Sequence, residues 1–365
     1  MIFKRKREHR VITQRVDAIY AVRSCYTIGP LRPLWFNCRF QVERLSVFFA
    51  IFLALLFFIA CSEKKREEKP AVDANPIPTD SFVIALLPEQ NVFDQKKRYE
   101  PLADYLSRSL GIPVKTKLLD SYDAVYNEML QKKVNAAFFG SLSYVVMNSK
   151  LEIEMLARPY LTNGISTYRG VIFALRDKGI TEDVESWRGK RIALVNKSTT
   201  AGFIFPKYYL LNKGVKDFEA HFKKVIYTGS HDASVLSVFT GGADIGCASD
   251  LIFNKLTGEN PAMRERLIVL ANSAPVPANV LGTRKDTDSA LKERLKDALM
   301  NMEKTPEGRD ALSHLGAVRF IETRRSEFAP ILEMFNALGL KPETFALEAI
   351  GRAEKHEAPE RQTRR

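Results

Sequence analysis

The chain contains little cysteine. Only Cys25, Cys38, Cys61 and Cys247 occur among its 365 residues, and Cys247 stands alone in the long stretch after residue 80. A lone thiol excludes an internal disulfide in that stretch and offers no metal-ligand spacing. The folded part must therefore rely on a conventional apolar core. The residues after position 80 are numerous enough for one large domain or two lobes of ordinary size.

Sequence signatures of catalysis are also missing. No serine sits in a G-x-S-x-G elbow, no spacing suggests a Cys–His pair, and no cluster of His, Cys and acidic residues has the spacing of a metal site. We therefore predict that the protein is not an enzyme and uses no metal or other cofactor.

The basic excess of the chain is concentrated at its beginning. Residues 1–44 hold ten Lys and Arg side chains against three acidic ones, a large part of the formal net charge of +12. Nucleic-acid binding would need basic side chains clustered on a folded face, so none is predicted. Because 44 residues are too many for the basic start of a signal peptide, we expect that translation begins near Val42 or Leu45. The rival interpretation is a basic cytoplasmic tail.

An apolar run covers residues 45–60 and stops at Cys61, which SEKKREEKP follows. The run is short for a transmembrane helix, which needs roughly 20 apolar residues, and suits the apolar core of a secretory signal. Ile59-Ala60-Cys61 resembles a bacterial lipobox, although Phe58 replaces the usual leucine. Cys61 is then the lipidated first residue of the mature protein. The alternative is an uncleaved membrane anchor, and both interpretations place the rest of the chain outside the cytoplasm.

Strands and helices alternate after a charged tether at 61–80, which is poor in large apolar residues. This order favours βαβ units and mostly parallel sheets. The predicted strands are 82–87, 113–118, 134–139, 171–175, 191–195, 225–227, 243–248, 267–270 and 280–283. The predicted helices are 99–110, 122–132, 202–214, 231–240, 288–302, 306–315 and 325–338.

Three polar segments each follow a predicted strand and open a helix, at 139–144, 198–206 and 228–233. Open α/β sheets bind ligands at such positions. The first N–H groups of a helix have no partner within it and carry partial positive charge. Ser198-Thr199-Thr200 before a helix therefore indicates an oxyanion site. Ser and Thr are also the ordinary N-caps of helices, so the motif alone permits either interpretation.

Taken together, these segments resemble a known family. The blocks RYEPLADYLSRSLGIPV, FFGSLSYV, TYRGVIF, WRGKRIALVNKSTTAGFIFP and TGSHDASVLSV occur in the order and spacing of the substrate-binding proteins of phosphonate ABC transporters. The resemblance covers about residues 81–340. It implies a type 2 periplasmic binding protein, with two α/β lobes joined by a hinge. The first lobe would comprise 81–177 and 277–345, the second 178–276, and 346–365 would form a C-terminal tail.

The resemblance also implies a set of ligand-binding residues. Phosphonate oxygens would meet the N–H groups and hydroxyls of Thr199, Thr200 and Ala201, with further donors from His231 and Tyr144 and with Tyr122 on the substituent side. Histidine and tyrosine are suitable donors to an anion at neutral pH. The alternatives are that His231 caps its own helix and that either tyrosine is a packing aromatic.

One departure from the family concerns the ligand's substituent. Members that bind aminoalkyl phosphonates hold the ammonium with two acidic residues, and the matching positions here are Asn279 and, near Ser249, Asp250. Because an ammonium without its carboxylate is costly in a dry site, we expect phosphate, phosphite, an alkylphosphonate or another small oxyanion. Glu89 or Asp250 could alternatively complete the ammonium site.

The resulting functional prediction is a monomeric lipoprotein that faces the periplasm or exterior and delivers a small phosphorus oxyanion to an ABC permease. The alternative is a sensory receptor of the same fold that presents its closed form to a signalling protein.

Overall fold

The computed structural model describes residues 81–357, with side chains through Arg352. The basic segment 1–44, the apolar run, Cys61 and the tether lie outside the described residues, so the predictions made for them stay predictions. No helix among the described residues is both long enough and apolar enough to span a bilayer.

The first sheet has six strands in the order β2-β1-β3-β12-β4-β13. Strand β1 pairs in parallel with β2 and β3, whereas β12 runs antiparallel to β3 and β4, and β13 runs antiparallel to β4. The strands of this sheet are β1 (Phe82–Leu86), β2 (Val114–Leu118), β3 (Ala136–Phe139), β4 (Ile153–Leu161), β12 (Val280–Arg284) and β13 (Ala317–Ile321).

The second sheet has five strands in the order β10-β6-β9-β7-β8. Strand β7 pairs in parallel with β8 and β9, and β6 runs antiparallel to β9 and β10. Its strands are β6 (Gly170–Leu175), β7 (Arg191–Leu194), β8 (Lys224–Tyr227), β9 (Ile245–Ser249) and β10 (Leu267–Asn272). Both sheets are therefore mixed, and the parallel pairing expected from the sequence holds for only part of each.

Two short strands connect the sheets. Strand β5 (Thr167–Tyr168) pairs antiparallel with β11 (Val276–Pro277), and the chain passes from one sheet to the other at both. The passage of the chain into the second lobe was predicted after residue 177. The passage occurs one strand earlier, because the fully buried β6 pairs with β9 and β10 of the second sheet. We call the first sheet with the helices packed on it the first lobe, and the second sheet with its helices the second lobe.

The helices of the described residues mostly follow the predicted pattern. They are α1 (Val92–Leu110), α2 (Ala124–Leu130), α3 (Ser141–Asn148), α4 (Phe205–Asn212), α5 (Phe218–His221), α6 (His231–Phe239), α7 (Asp250–Glu259), α8 (Pro261–Arg266), α9 (Ser289–Met300), α10 (Pro306–Leu315), α11 (Ala329–Ala337) and α12 (Pro342–Glu357). A π-helical turn, Thr200–Ile204, precedes α4.

The C-terminal segment departs from the expectation of a tail. Helix α12 packs on α2 and α3, and it buries Phe345, Ala346 and Ala349. The apolar side chains at 345, 346 and 349 recur at helical spacing and form one buried stripe. The predicted tail is therefore wrong for the residues up to 357, which belong to the first lobe.

The apolar core joins the two sheets. One buried cluster includes Phe139 beside the first sheet and Ile192 and Leu194 in the second, and it continues to Trp187. A second cluster lies between the first sheet and α1, α9 and α10. The ends of several strands and the helices that follow them consequently meet at one cleft between the sheets.

Candidate functional site

A cavity of about 520 Å³ lies between the two lobes. Six of the residues singled out from the sequence line it, namely Tyr122, Ser198, Thr199, Thr200, His231 and Asn279. Tyr122 and Asn279 come from the first lobe and the other four from the second. The tertiary structure thus brings together side chains that are more than 150 positions apart in the chain.

The wall contributed by the second lobe begins at the end of β7. The π-helical turn Thr200–Ile204 continues directly into α4. Because no helical turn precedes it, the first N–H groups of this helix have no carbonyl acceptor within the helix. Gly202 lets this turn lie close to the strand, because a Cβ there would overlap the side chains of Val195 and Thr199. We call this helix start, residues 199–203, the anion cradle; its partial positive charge favours an anion.

The hydroxyls of the cradle are partly used within the protein. Thr199 Oγ1 donates to the carbonyl of Asn196 at 2.7 Å, and its N–H donates to the same oxygen at 3.1 Å. Thr200 Oγ1 accepts the N–H of Leu142 in the first lobe at 3.0 Å. Because that contact uses Thr200 as acceptor, its hydroxyl hydrogen can be donated elsewhere. Ala201 is fully buried and is not among the residues that line the cavity.

His231 begins α6 and is held in one tautomer. The N–H of Ser249 donates to its Nδ1 at 3.1 Å, so Nδ1 is an acceptor and Nε2 carries the hydrogen of the neutral ring. Burial lowers the pKa of His231 to about 4, against a smaller opposing effect of Asp232. The ring is therefore neutral at pH 7 and provides a hydrogen-bond donor. The alternative that His231 caps its helix does not hold, since Ser230 accepts the N–H of Ala233 in that role.

Tyr122 of the first lobe places a buried hydroxyl at the cavity, beside His231. Its side chain is 3% exposed, and its Oη has no hydrogen-bond partner among the described residues. The ring meets that of His231 edge to face, with 6.3 Å between ring centroids. Burial, reinforced by the nearby Glu89, raises the pKa of Tyr122 well above its ordinary value. The hydroxyl consequently keeps its proton, and a buried donor without an acceptor marks a place where a ligand could bind.

Two predicted residues lie outside the cavity. Tyr144 packs on Phe328 with ring centroids 4.4 Å apart, and the residue of α3 that lines the cavity is its neighbour Ser143. Asp250 accepts the backbone N–H of Arg169 through Oδ1 at 2.9 Å, beside the strands that connect the lobes. The structure therefore does not bring Tyr144 and Asp250 together with the predicted residues that line the cavity.

The lining of the cavity also includes charged side chains. Asn279 Nδ2 donates to Glu89 Oε1 at 2.7 Å, and Arg98 and Lys255 line the cavity as well. Burial raises the pKa of Glu89, and Arg98 opposes that effect. Sequence reasoning had named Glu89 as an alternative but missed Arg98, Lys255 and the nearby Tyr168.

Different signals could have found the missed residues. Tyr168 lies inside the TYRGVIF block that carried the family resemblance, and it lines the cavity next to the crossing strands. Arg98 and Lys255 belong to α1 and α7, where a basic side chain looks like an ordinary solvent-facing residue. No local pattern in the sequence separates them from the other basic residues of those helices.

The lobes are in contact across the cleft. The backbone N–H of His231 donates to the carbonyl of Glu89 at 3.1 Å, and the N–H of Asn91 donates to Asp232 Oδ2 at 2.9 Å. Lys255 approaches Asp94 at 3.4 Å at the rim. The structure is thus a closed arrangement. Within residues 81–357, no group of three or more His, Cys, Asp and Glu side chains could hold a metal ion.

Comparison with known proteins decides the family. The family model for the periplasmic substrate-binding proteins of phosphonate ABC transporters matches residues 84–328. The chain belongs to this family. Its fold is accordingly the two-lobed type 2 fold of periplasmic binding proteins, and the family's location is extracytoplasmic.

Two curated relatives have descriptive names. The chain is similar to the phosphonates-binding periplasmic protein of Escherichia coli, with 24% identity over 79% of the chain and 82% of that relative. It is also similar to the phosphate-import protein PhnD of Mycolicibacterium smegmatis, with 28% identity over 54% of the chain. The latter match spans 62% of that relative's length.

Solved structures agree on the fold. PhnD1 from Prochlorococcus marinus in complex with methylphosphonate has a TM-score of 0.65 at 21% identity, covering 71% of the chain and 98% of PhnD1. A binding-protein component of a phosphonate ABC transporter from Pseudomonas aeruginosa also has a TM-score of 0.65, at 18% identity, covering 76% of the chain and 95% of that structure. These comparisons do not favour the alternative of a sensory receptor.

Proposed function

We propose that this family member is the solute receptor of an ABC importer and that it binds a small phosphorus oxyanion in the cavity between its lobes. The oxyanion lies against the anion cradle, and any substituent extends towards Glu89 and Asn279. One observation carries the assignment. The buried Tyr122 hydroxyl has no acceptor within the described residues, and the Tyr122 ring packs against the ring of His231, whose Nε2 carries the hydrogen. Both residues line the cavity together with Thr199 and Thr200 of the cradle.

The donors of the cradle, His231 and Tyr122 suit a phosphorus oxyanion. The N–H groups of the cradle, the Nε2–H of His231 and the hydroxyl of Tyr122 can each donate a hydrogen bond to one of its tetrahedrally arranged oxygens. Hydrogen bonds to an ionised acceptor are shorter and roughly twice as strong as neutral ones. Lobe closure removes water from these hydrogen bonds. Binding of this kind involves no covalent step, and we propose that the protein does not catalyse a reaction.

The charged lining residues support a ligand without a fully paired ammonium. Among the lining residues in the described part of the chain, Glu89 is the one carboxylate, and Asn279 already donates to it. Asp250 is directed to Arg169 instead. We therefore propose methylphosphonate, phosphite or phosphate as ligands. The methylphosphonate complex of the similar P. marinus protein and the phosphate-import name of the M. smegmatis relative support this class.

The cell-envelope arrangement belongs to the same proposal. We propose that Cys61 is lipidated, that residues 61–80 tether a monomeric receptor, and that an ABC permease is its membrane partner. The lipobox-like Ile59-Ala60-Cys61 after an apolar run is the basis for the anchor. Mass spectrometry of the protein from membranes tests it: an unmodified Cys61, or a chain uncleaved before it, would contradict lipidation.

Calorimetric titration of the full chain, solubilised in detergent, tests the ligand. The ligands are methylphosphonate, phosphite, phosphate, 2-aminoethylphosphonate and a sulfonate as non-phosphorus oxyanion. We expect at least one of the first three to bind and His231→Ala to weaken it by roughly tenfold or more, because a donor to a charged group is lost. Leu236→Ala, an exposed change on the same helix α6, should leave affinity unchanged. Binding of none of the phosphorus compounds would refute the proposal.

A further inference from the structure

Asp123 stands at the start of α2 but does not cap it. The N–H of Ala124 is bonded instead by Ser121 Oγ at 3.2 Å, and the Asp123 carboxylate makes no hydrogen bond to its own helix. Aspartate at this position commonly caps the helix. The residue is nevertheless only 3% exposed, so its carboxylate must be satisfied by partners from other parts of the molecule.

One of those partners comes from the C-terminal helix. Arg352 of α12 donates from Nε to Asp123 Oδ2 at 2.9 Å and from Nη2 to Oδ1 at 3.2 Å. Two parallel bonds from a guanidinium fix the plane of a carboxylate as well as its position. Because α12 packs on α2 and α3, this pair lies within the first lobe.

The other partner belongs to the second lobe. The hydroxyl of Ser198 donates to Oδ1 of the same carboxylate. Ser198 is 1% exposed, lines the cavity and immediately precedes the anion cradle. Its backbone N–H is bonded separately by Asn196 Oδ1 at 2.8 Å. The one hydroxyl hydrogen of Ser198 is therefore directed across the cleft, which changes its predicted role from ligand donor to inter-lobe contact.

We propose that the Arg352–Asp123 pair positions Ser198, and with it the anion cradle, in the closed arrangement, so that Arg352 is a positioning residue for ligand capture. The inference rests on the proposed function. Opening the lobes would separate Ser198 from a buried carboxylate, and a hydrogen bond to a charged group contributes substantially. Arg352 keeps the carboxylate turned towards the second lobe. Without it, Asp123 can turn back to the free end of α2.

The proposal differs from a purely structural role of the ion pair. A pair that only fastened α12 to α2 would alter thermal stability, and its removal would affect ligand binding equally with and without the Ser198 hydroxyl. A pair that acts through Ser198 loses its effect on binding once that hydroxyl is removed. A double-mutant cycle measures this difference directly.

The experiment compares the full chain, Ser198→Ala, Arg352→Met and the double variant by calorimetric titration with methylphosphonate. We expect each single change to weaken binding by roughly tenfold, and the double variant to be no weaker than Ser198→Ala within about twofold. Arg352→Lys, which keeps the charge, should recover part of the loss. Glu348→Gln, which removes the exposed neighbour 3.9 Å from Arg352, should not change affinity.

Multiplicative losses in the double variant, or full affinity of Arg352→Met, would overturn the proposal. Circular dichroism establishes folding, and if Arg352→Met does not fold, Asp123→Asn takes its place in the cycle. Small-angle scattering without ligand provides a second readout, in which Ser198→Ala and Arg352→Met should enlarge the radius of gyration to the same, non-additive extent. Unchanged radii of gyration would contradict the positioning role of Arg352, whether or not the wild type binds methylphosphonate. A wild type that binds no methylphosphonate would by itself count only against the proposed ligand.

Discussion

Two sets of groups that line the cavity differ in their chemistry. The donor set consists of backbone N–H groups at a helix start, the neutral ring of His231 and the hydroxyl of Tyr122. The charged set consists of Glu89, bonded by Asn279, and the cations Arg98 and Lys255. The donor set offers hydrogen bonds without formal charge, whereas the charged set combines one carboxylate with two cations.

This difference assigns separate tasks to the two sets. The donor set can hold any oxyanion of suitable size, through the main chain and through single side-chain donors whose loss weakens binding. The charged set acts on the ligand's substituent, because a buried carboxylate either attracts or repels the group placed next to it. Affinity for the oxyanion should therefore depend on the donor set, and selectivity among substituents on Glu89 and its neighbours.

The largest effect is expected from disturbing the main chain of the cradle. Gly202→Ala introduces a Cβ that overlaps Val195 and Thr199, so the helix start must move away from the strand. Overpacking of this kind costs about 1–3 kcal/mol, which corresponds to roughly a five- to 160-fold loss of methylphosphonate affinity if it falls on the bound state. Calorimetry measures the loss.

Gly258→Ala is the matched control for this change. Gly258 lies in α7, and a Cβ added there would have nothing within 4 Å. Its affinity should equal that of the wild type. Equal affinity of the Gly202 and Gly258 variants would show that the close approach of the helix start to the strand does not matter for binding.

A smaller effect is expected from one of the two tyrosines that the sequence analysis assigned to the site. Tyr122→Phe removes a buried hydroxyl that lines the cavity, and we expect roughly tenfold weaker binding because a bond to a charged ligand is lost. Tyr144→Phe should bind as the wild type does, since Tyr144 packs on Phe328 outside the cavity. The two dissociation constants, measured side by side, check the comparison, and the reverse order would restore Tyr144 to the site.

The smallest effect is expected from the charged set and has the opposite sign. Glu89→Gln removes a carboxylate that repels an anion, so methylphosphonate should bind a few-fold more tightly at pH 7. Burial raises the pKa of Glu89, while Arg98 and Asn279 beside it lower the pKa and Tyr122 faces it as a neutral group. The carboxyl group is neutral below this raised pKa and repels the ligand above it. The advantage of the variant should therefore grow as the pH rises through that value.

The ratio of the two dissociation constants at each pH provides the measurement, because the titration of methylphosphonate itself cancels in the ratio. Glu100→Gln on the exposed side of α1, where Glu100 pairs with Lys96 at 3.4 Å, controls for the change in net charge. The wild type could instead bind 2-aminoethylphosphonate tightly and lose this binding in Glu89→Gln. That result would refute our inference from Asn279 that the ligand has no fully paired ammonium, and it would assign Glu89 to the ammonium.

The sequence allowed much of the fold to be predicted, with identifiable failures. Strands β1, β2, β3 and β6 and the cradle helix were found because short apolar runs and turn residues define them locally. Strand β4 was missed, since Pro159 lies within it, and β13 was missed because Arg319 interrupts a short run. The parallel pairing was overestimated because strand order is set by contacts distant in sequence.

Part of the predicted site lies at the cavity. Ser198, Thr199, Thr200 and His231 line it because each follows the end of a strand, where the topology of an open sheet places ligand-binding residues. Tyr144 lies outside it because its position on α3 turns it towards Phe328, and helical rotation is not visible in a motif. The contact of Ser198 with Asp123 joins residues 75 positions apart, which no local pattern reveals.

The sequence by itself determined the membership in a family of solute receptors, the helix start that can hold an anion, and the absence of disulfides from the stretch after residue 80, because these depend on residue type and order. Only the tertiary structure decided which donors share a cavity, which tautomer His231 adopts, and that Arg352 of the last described helix reaches Asp123 and, through it, Ser198. Those properties depend on distances between residues of the two lobes, and the chain passes from one lobe to the other twice. Such distances are fixed when the apolar surfaces of the two sheets and their helices pack together.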